Sequence, residues 1–354
     1  AVKVIIEQSA TGDFAKGTDE QKVGDLYNSY LDWDTRNAKG IEPLQPELDR
    51  ISAISSHDDL AVYFAEATKR ALDAPFGVGQ LPDPKDPQRY AIAAGQSGLG
   101  LPDREYYLKD DEKSEDIRNK YVAHIAKMFD LAGLADGAAA ADTIMALETR
   151  IAAEHMTKEQ SRRYLENYKK VELAELPALM PNFNWDGFLA ELEISNVPFI
   201  GVFTLDYLKA LDGIITDTDL DTWKTYLTWS ALNNTAGRLT KDLDVQNFEF
   251  YGKVLSGTEE QREDWRRATN LVDGTVGEVV GKVYVKQHFP PEAKERMLGL
   301  VGNLVKAYEK SIKELDWMTD TTKAEALDKL SKFHPMVGYP DKWRDYSALD
   351  IEAD

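Results

Sequence analysis

Histidine and carboxylate side chains are the residues of this chain that could bind a metal or move a proton. The histidines are His57, His124, His155, His288 and His334. No two lie within five residues of each other, so no HExxH helix places two of them on one face to bind zinc. Glu154 precedes His155, but this order and spacing do not fit that motif. We predict structural or solvated histidines, with His124 on a core-facing helix stripe beside Tyr121.

The other residue groups that could do chemistry do not form a recognisable site. Gly95–Gly100 resembles a phosphate-binding loop, but Pro102 follows at once and prevents a helix from starting where a phosphate would need it. Acidic runs such as 110–112 lack apolar neighbours that would raise a carboxyl pKa. No serine lies in a G-x-S-x-G turn. The residues alone therefore predict no catalytic residue and no metal ligand in this chain.

Composition excludes several classes of function. The chain has 354 residues with 42 Lys and Arg against 62 Asp and Glu, a net charge of -20. Such a charge repels phosphate backbones, so a nucleic-acid partner is not expected. The absence of cysteine excludes disulfides and thiol catalysis. No apolar run approaches the ~18 residues that span a bilayer, and residues 1–6 are too short an apolar run for a signal peptide.

Helical periodicity dominates the elements that would position these residues. Thr18 and Gln21 fit a capping box in which the Gln21 side chain reaches back to the Thr18 amide. Residues 297–315 carry apolar side chains at helical spacing after Pro290 and Pro291. A second capping box is predicted at 322–325.

Residues 74–103 break the helical pattern because they are rich in glycine and proline. Two short apolar runs, 76–78 and 90–94, predict a β-hairpin, and the apolar run 197–203 could add one strand. The fold class predicted is mainly α, with one large multi-helix domain and a small β-hairpin.

Five stretches, in order, resemble the neprilysin-like zinc metallopeptidases of the M13 family. Residues 96–108, QSGLGLPDREYYL, match the family's glycine-leucine-proline stretch almost letter for letter. Residues 22–27 match its early helix, 147–148 and 181–185 its middle, and 264–347 the part that precedes its catalytic lobe. That last run ends with GYPDKWRDYS at 338–347.

The resemblance implies two largely helical lobes around a closed chamber that admits peptides of limited size. Zinc, the HExxH motif and a further glutamate ligand would belong to the other, C-terminal lobe, and this chain would bind no zinc itself. We expect 1–20 to be a connector from a missing N-terminal segment, 21–334 the non-catalytic cap lobe, and 335–354 a connector toward the missing zinc-binding lobe. Trp343, Arg344, Asp345 and Tyr346 would hold the lobe junction; an ordinary loop anchor is an equal alternative.

The resemblance also implies partners and a location. The partners would be the catalytic lobe and peptide substrates, and the location periplasmic or extracellular in a bacterium. A free-standing helical peptide- or protein-binding module is the alternative function. If the chain is the cap lobe, the surface that faces the missing lobe should expose an apolar patch unusual for a monomer.

Overall fold

Helices dominate the computed structural model, which describes residues 1–353. The structure is 64% helical with one small four-stranded sheet, so the predicted fold class is confirmed. The α-helices are α1 (Val2–Thr11), α2 (Asp19–Leu31), α3 (Trp33–Lys39), α4 (Gln45–Ala53), α5 (His57–Lys69), α6 (Glu105–Leu108), α7 (Glu112–Leu131), α8 (Gly137–Glu154), α9 (Lys158–Ser161), α10 (Tyr164–Asn167), α11 (Leu176–Leu179), α12 (Trp185–Glu191), α13 (Leu205–Asp217), α14 (Leu220–Thr235), α15 (Lys241–Asn247), α16 (Asp264–His288), α17 (Pro291–Glu314) and α18 (Asp320–Ser331). The strands are β1 (Phe76–Asp83), β2 (Asp86–Gln96), β3 (Lys169–Glu172) and β4 (Phe199–Val202).

The chain is organised in two compact units, which the residue pattern did not predict. The terminal unit contains residues 1–32 and those from 262 onward, and the central unit contains Trp33–Gln261. The connectors placed at 1–20 and 335–354 concern attachment to a further lobe, and they stay predictions.

The central unit has a large helical core with the sheet at its side. The strand order is β1-β2-β4-β3, with β1 and β3 antiparallel to their neighbours and β2 parallel to β4. The predicted hairpin is confirmed and is longer than expected, and the predicted strand at 197–203 is confirmed as β4. The ring centroid of Phe76 of β1 lies 6.3 Å from that of Phe64 of α5, so the hairpin is anchored in the aromatic core.

Strand β3 was not predicted because its sequence is mostly charged. Its residues are Lys-Lys-Val-Glu, and only Val171 is buried. An edge strand of this kind gains its stability from pairing with β4, and its charges protect the edge from pairing with other chains.

The terminal unit is built around α1, α2 and the first half of α16, which share an apolar core of Ile and Val side chains. Thr18 caps α2 as predicted, accepting from the Gln21 amide. The predicted partner of the Gln21 side chain was wrong: its Oε1 accepts from the Gly17 amide at 2.8 Å, because the Thr18 amide already donates to the Ala15 carbonyl.

The predicted start of α18 was also wrong. Thr319, three residues before the predicted box, is the N-cap, and its hydroxyl accepts from the Thr322 amide at 3.2 Å. Both threonines can cap a helix, and the chain uses the one that adds a further turn.

Candidate functional site

The four predicted junction residues lie on one extended segment at the C-terminal side of the terminal unit. The Arg344 amide donates to Glu278 Oε2 of α16 at 2.7 Å. The Trp343 ring stacks on Tyr339, with centroids 5.9 Å apart and planes 7° from parallel. A Cβ at Gly281 of α16 would lie 3.4 Å from the Trp343 ring, at van der Waals contact, so the indole lies against this position of the helix.

A buried lysine holds the next part of the segment. Lys22 of α2 is 1% exposed, and its Nζ donates to the Tyr346 carbonyl at 2.5 Å. Burying an ammonium group is costly unless it finds acceptors, so this bond ties the segment to α2. Hydrogen bonds from Ser347 lower the pKa of the Asp345 carboxyl, with smaller contributions from the positive charges of Lys282 and Lys22.

The beginning of the segment is fixed against α17. Lys294 pairs with Asp341 at 2.7 Å, donates to the Tyr339 carbonyl at 2.9 Å, and lies 4.3 Å from the centre of the Tyr339 ring. Gly338 has φ +72°, and a Cβ there would come within 2.5 Å of the Phe289 ring. Residues 338–346 therefore have one defined path over this unit.

Next to this segment, α17 presents an apolar face to solvent. Leu300 is 52% exposed and Tyr308 62% exposed, and no residue of α17 is buried. The predicted apolar stripe is real, and its Leu300, Leu304 and Tyr308 side chains are more than half exposed in the described chain. Trp317, Phe333 and Met336 are also exposed, with Met336 91% exposed. We call the exposed apolar side of α17 the α17 face, defined by Met297, Leu300, Leu304 and Tyr308.

The residue that sequence reasoning missed is Glu148 in the middle of α8. It is 1% exposed and accepts from the Tyr107 hydroxyl at 2.6 Å and from the Tyr121 hydroxyl at 3.0 Å. Burial raises the pKa of its carboxyl to about 7, and hydrogen bonds from the two tyrosines oppose that shift. Besides the family match at 147–148, the signal was one glutamate among the apolar residues of an otherwise buried helix face.

His124 has the core-facing position predicted for it. His124 is buried, stacks on Phe250 at 4.8 Å, and has its pKa lowered to about 3 by burial. Burial likewise lowers the pKa of His155 to about 4. Across residues 1–353 no three His, Asp or Glu side chains converge in a way that could hold a metal ion.

The N-terminal profile of Peptidase family M13 matches residues 1–340. The chain belongs to peptidase family M13. Endothelin-converting enzyme 1 of Cavia porcellus is 30% identical over 78% of this chain and 37% of its own length. Neprilysin-3 of Drosophila melanogaster is 26% identical over 95% of this chain and 45% of its own length.

A solved M13 structure matches almost the whole fold. The zinc metalloprotease Zmp1 of Mycobacterium tuberculosis, in its open state, superposes with a TM-score of 0.90 at 38% identity, covering 99% of this chain and 55% of that one. The M13 chain described here therefore spans about half the length of these relatives, or less. None of its described helices combines the length and the apolarity needed to cross a membrane.

Proposed function

We propose that this M13 chain is the substrate-enclosing, size-restricting lobe of a zinc-dependent endopeptidase that acts on oligopeptides. The α17 face carries the proposal, because a monomer rarely leaves such an apolar surface uncovered. Its neighbour, the fixed segment 338–346, contains the four residues expected at the lobe junction. The relatives extend well beyond the part that this chain matches.

The contribution of this chain to hydrolysis would be exclusion and positioning. Its residues offer no metal-binding group within 1–353, so no step of the reaction is assigned to a metal held here. In the longer enzyme, zinc on the other lobe would act on the peptide bond. A lobe that closes over the chamber excludes water and limits the approach of the substrate, which aids orientation.

The site residues of the proposal are Trp343, Arg344, Asp345 and Tyr346 at the lobe junction. Arg344 and Tyr346 hold the segment to α16 and α2 through backbone atoms, and Trp343 stacks on Tyr339 within the segment. The Asp345 carboxylate accepts from the Ser347 amide, so the exposed guanidinium of Arg344 is the charged group left for a neighbouring lobe. The partner is the C-terminal catalytic lobe, and an extracytoplasmic location remains a prediction from the family resemblance.

The first test compares this chain with the polypeptide obtained by extending its reading frame. We expect the chain alone to have a native mass near 39.8 kDa, to bind no zinc, and to leave a quenched fluorescent oligopeptide uncut. The extended polypeptide should contain HExxH, bind zinc and cut the peptide, with activity lost to a chelator. A reading frame that ends without HExxH would favour the free-standing binding module instead.

A second test addresses the lobe role within the extended enzyme. Leu304→Asp places a charge in the α17 face and should lower kcat/KM for the oligopeptide, because the two lobes close less well. Asn303→Asp adds the same charge beside the face and should leave kcat/KM within about twofold, as surface changes usually do. Equal activity of both variants would contradict the assignment of the α17 face to the lobe contact.

A further inference from the structure

A cavity in the central unit has a lining that the proposed function does not use. Its volume is about 330 Å³, and it lies between the loop 96–104 and the end of α8. This volume falls at the lower end of the ~300–1,000 Å³ typical of small-molecule sites, so it suits a compact ligand better than an extended peptide.

Hydrogen bonds between side chains and backbone atoms hold the walls of the cavity in place. The Gln96 side chain accepts from the Met156 amide at 2.7 Å, which ties the loop to the end of α8. The Tyr226 hydroxyl donates to the Gly98 carbonyl at 2.8 Å. Gly98 has φ +86°, and a Cβ there would lie 2.5 Å from the Tyr226 hydroxyl and 2.7 Å from the Pro75 Cα, so only glycine fits. The cavity is therefore a built feature of the fold.

Two residues that line the cavity each have a buried nitrogen without a hydrogen-bond partner within the described residues. His155 is only 6% exposed, and its Nε2 makes no hydrogen bond. The Nε of Arg104 is buried and also makes none. Buried polar atoms of this kind are rare in proteins, and a bound ligand is one explanation for them. Because burial lowers the pKa of His155, its ring is neutral near pH 7 and one ring nitrogen can accept a hydrogen bond.

The charges that line the cavity include one unpaired group of each sign. Lys158 and Asp103 neutralise each other, with their charged atoms 2.6 Å apart. Arg104 forms no ion pair within the described chain; its Nη1 donates to the His155 carbonyl. Asp73 also forms none there and accepts from the Asn234 side chain at 2.9 Å. Asp73 is exposed to solvent. A ligand that paired with both groups would carry a carboxylate or similar anion together with an ammonium group.

We propose that this cavity binds a small zwitterion, namely a free amino acid or the ends of a very short peptide. Arg104 would receive the carboxylate, and Asp73 with His155 Nε2 would receive the ammonium group. The inference is independent of the proposed function, because it rests on the central unit alone and requires neither zinc nor a second lobe.

Calorimetric titration of the chain with four probes tests this assignment. Glycine carries both charges, N-acetylglycine lacks the ammonium group, glycinamide lacks the carboxylate, and triglycine separates the two charges. Glycine should bind at least about tenfold more tightly than either blocked form, since a charge-assisted hydrogen bond is lost in each. Tighter binding of triglycine than of glycine would identify peptide ends as the source, and the reverse would identify free amino acids.

Variants link the binding to the cavity. Arg104→Gln and Asp73→Asn should each weaken glycine binding by about ten- to a hundredfold. Arg162→Gln removes an exposed neighbouring charge that does not line the cavity, and should leave binding unchanged. Ser161→Trp places a large side chain at an exposed position of the cavity lining and should abolish glycine binding, although Arg104 and Asp73 both remain. This variant tests the proposal even if Arg104→Gln fails to fold.

Three results would overturn the proposal. The first is the absence of saturable heat with any probe up to about 10 mM, a concentration at which even millimolar affinity would be detected. The second is equal binding of glycine and both blocked forms. The third is unchanged glycine binding in the Ser161→Trp variant.

Discussion

At the scale of single residues, Glu148 is the buried carboxyl of the central unit whose pKa is raised toward neutral pH. The Tyr107 hydroxyl accepts from the Leu101 amide at 2.8 Å and the Tyr121 hydroxyl accepts from Trp229 Nε1 at 2.9 Å. Both hydroxyl protons are therefore free to point at Glu148, which favours its charged form. Burial works in the other direction and is the larger effect, since the pKa is raised from 4.5 to about 7.

This balance predicts that the contribution of Glu148 to stability is lost as pH rises. A carboxyl whose pKa is higher in the folded than in the unfolded state stabilises the fold below the unfolded value, and that stabilisation is lost as pH rises through the folded value. The contribution of Glu148 to the free energy of unfolding should fall by up to roughly 3 kcal/mol between pH 4.5 and pH 7.5. The lowered pKa values of His124 and His155 change the stability in the opposite direction over the same range. Glu148→Gln should therefore gain stability relative to the unmodified chain as pH rises, as measured by urea unfolding of both across that range.

The control for this experiment is Glu154→Gln on the exposed end of the same helix. It should keep the pH dependence of the unmodified chain. If Glu148→Gln shows the same slope of stability against pH as Glu154→Gln, Glu148 is not the group that titrates.

Lys22 is the second residue whose burial has a measurable consequence. Lys22→Met keeps the buried aliphatic chain but removes the hydrogen bond to the Tyr346 carbonyl. We expect amide hydrogen exchange of residues 343–351 to accelerate by about tenfold, as one net hydrogen bond of ~1.4 kcal/mol is lost. Mass spectrometry of peptic fragments measures this exchange rate. Lys282→Met, which removes a half-exposed pair with Asp19, should change exchange there much less; equal effects would count against the anchoring role of Lys22.

At the scale of elements, close helix packing depends on one glycine. Gly24 of α2 faces α1, and a Cβ there would lie 2.4 Å from the Ser9 carbonyl oxygen. Gly24→Ala should therefore destabilise the chain by about 1–3 kcal/mol, because backbone atoms must move apart. Gly213→Ala in α13 meets nothing within 4 Å and should stabilise it by up to about 1 kcal/mol. Thermal unfolding of both variants measures the contrast, and a destabilising Gly213→Ala would refute this account.

Elements with a strong local signal could be predicted from the sequence, and those set by tertiary contacts could not. The hairpin was predicted because proline and glycine exclude helix from 74–103. Strand β3 and the π-helix at Phe248–Leu255 were missed, since pairing and packing with distant segments determine them. The cap at Thr319 was missed because two threonines compete for one role.

The candidate site shows the same division. The junction residues at 343–346 were predicted from a family resemblance, and the structure places them together on one segment; their function at a junction stays a prediction. Glu148 and the cavity beside Arg104 were missed because each is assembled from three or more elements that lie far apart in the sequence. No local spacing indicates such a convergence.

At the scale of the whole molecule, an exposed apolar surface coexists with a large negative charge. The net charge of -20 keeps copies of the chain apart at pH 7. The sequence pI is about 4.7, so repulsion fades as pH falls toward 5 while the α17 face stays exposed. Self-association of the isolated chain should therefore increase over this interval.

Static light scattering between pH 7.5 and pH 5 measures that increase, and two variants locate its source. Leu304→Asp should reduce the apparent mass at pH 5 toward that of the monomer, because it places a charge in the centre of the α17 face. Asn303→Asp adds the same charge off the face and should scatter like the unmodified chain. If both variants suppress association equally, net charge alone controls it; only a selective effect of Leu304→Asp would identify the α17 face as the surface that requires a partner.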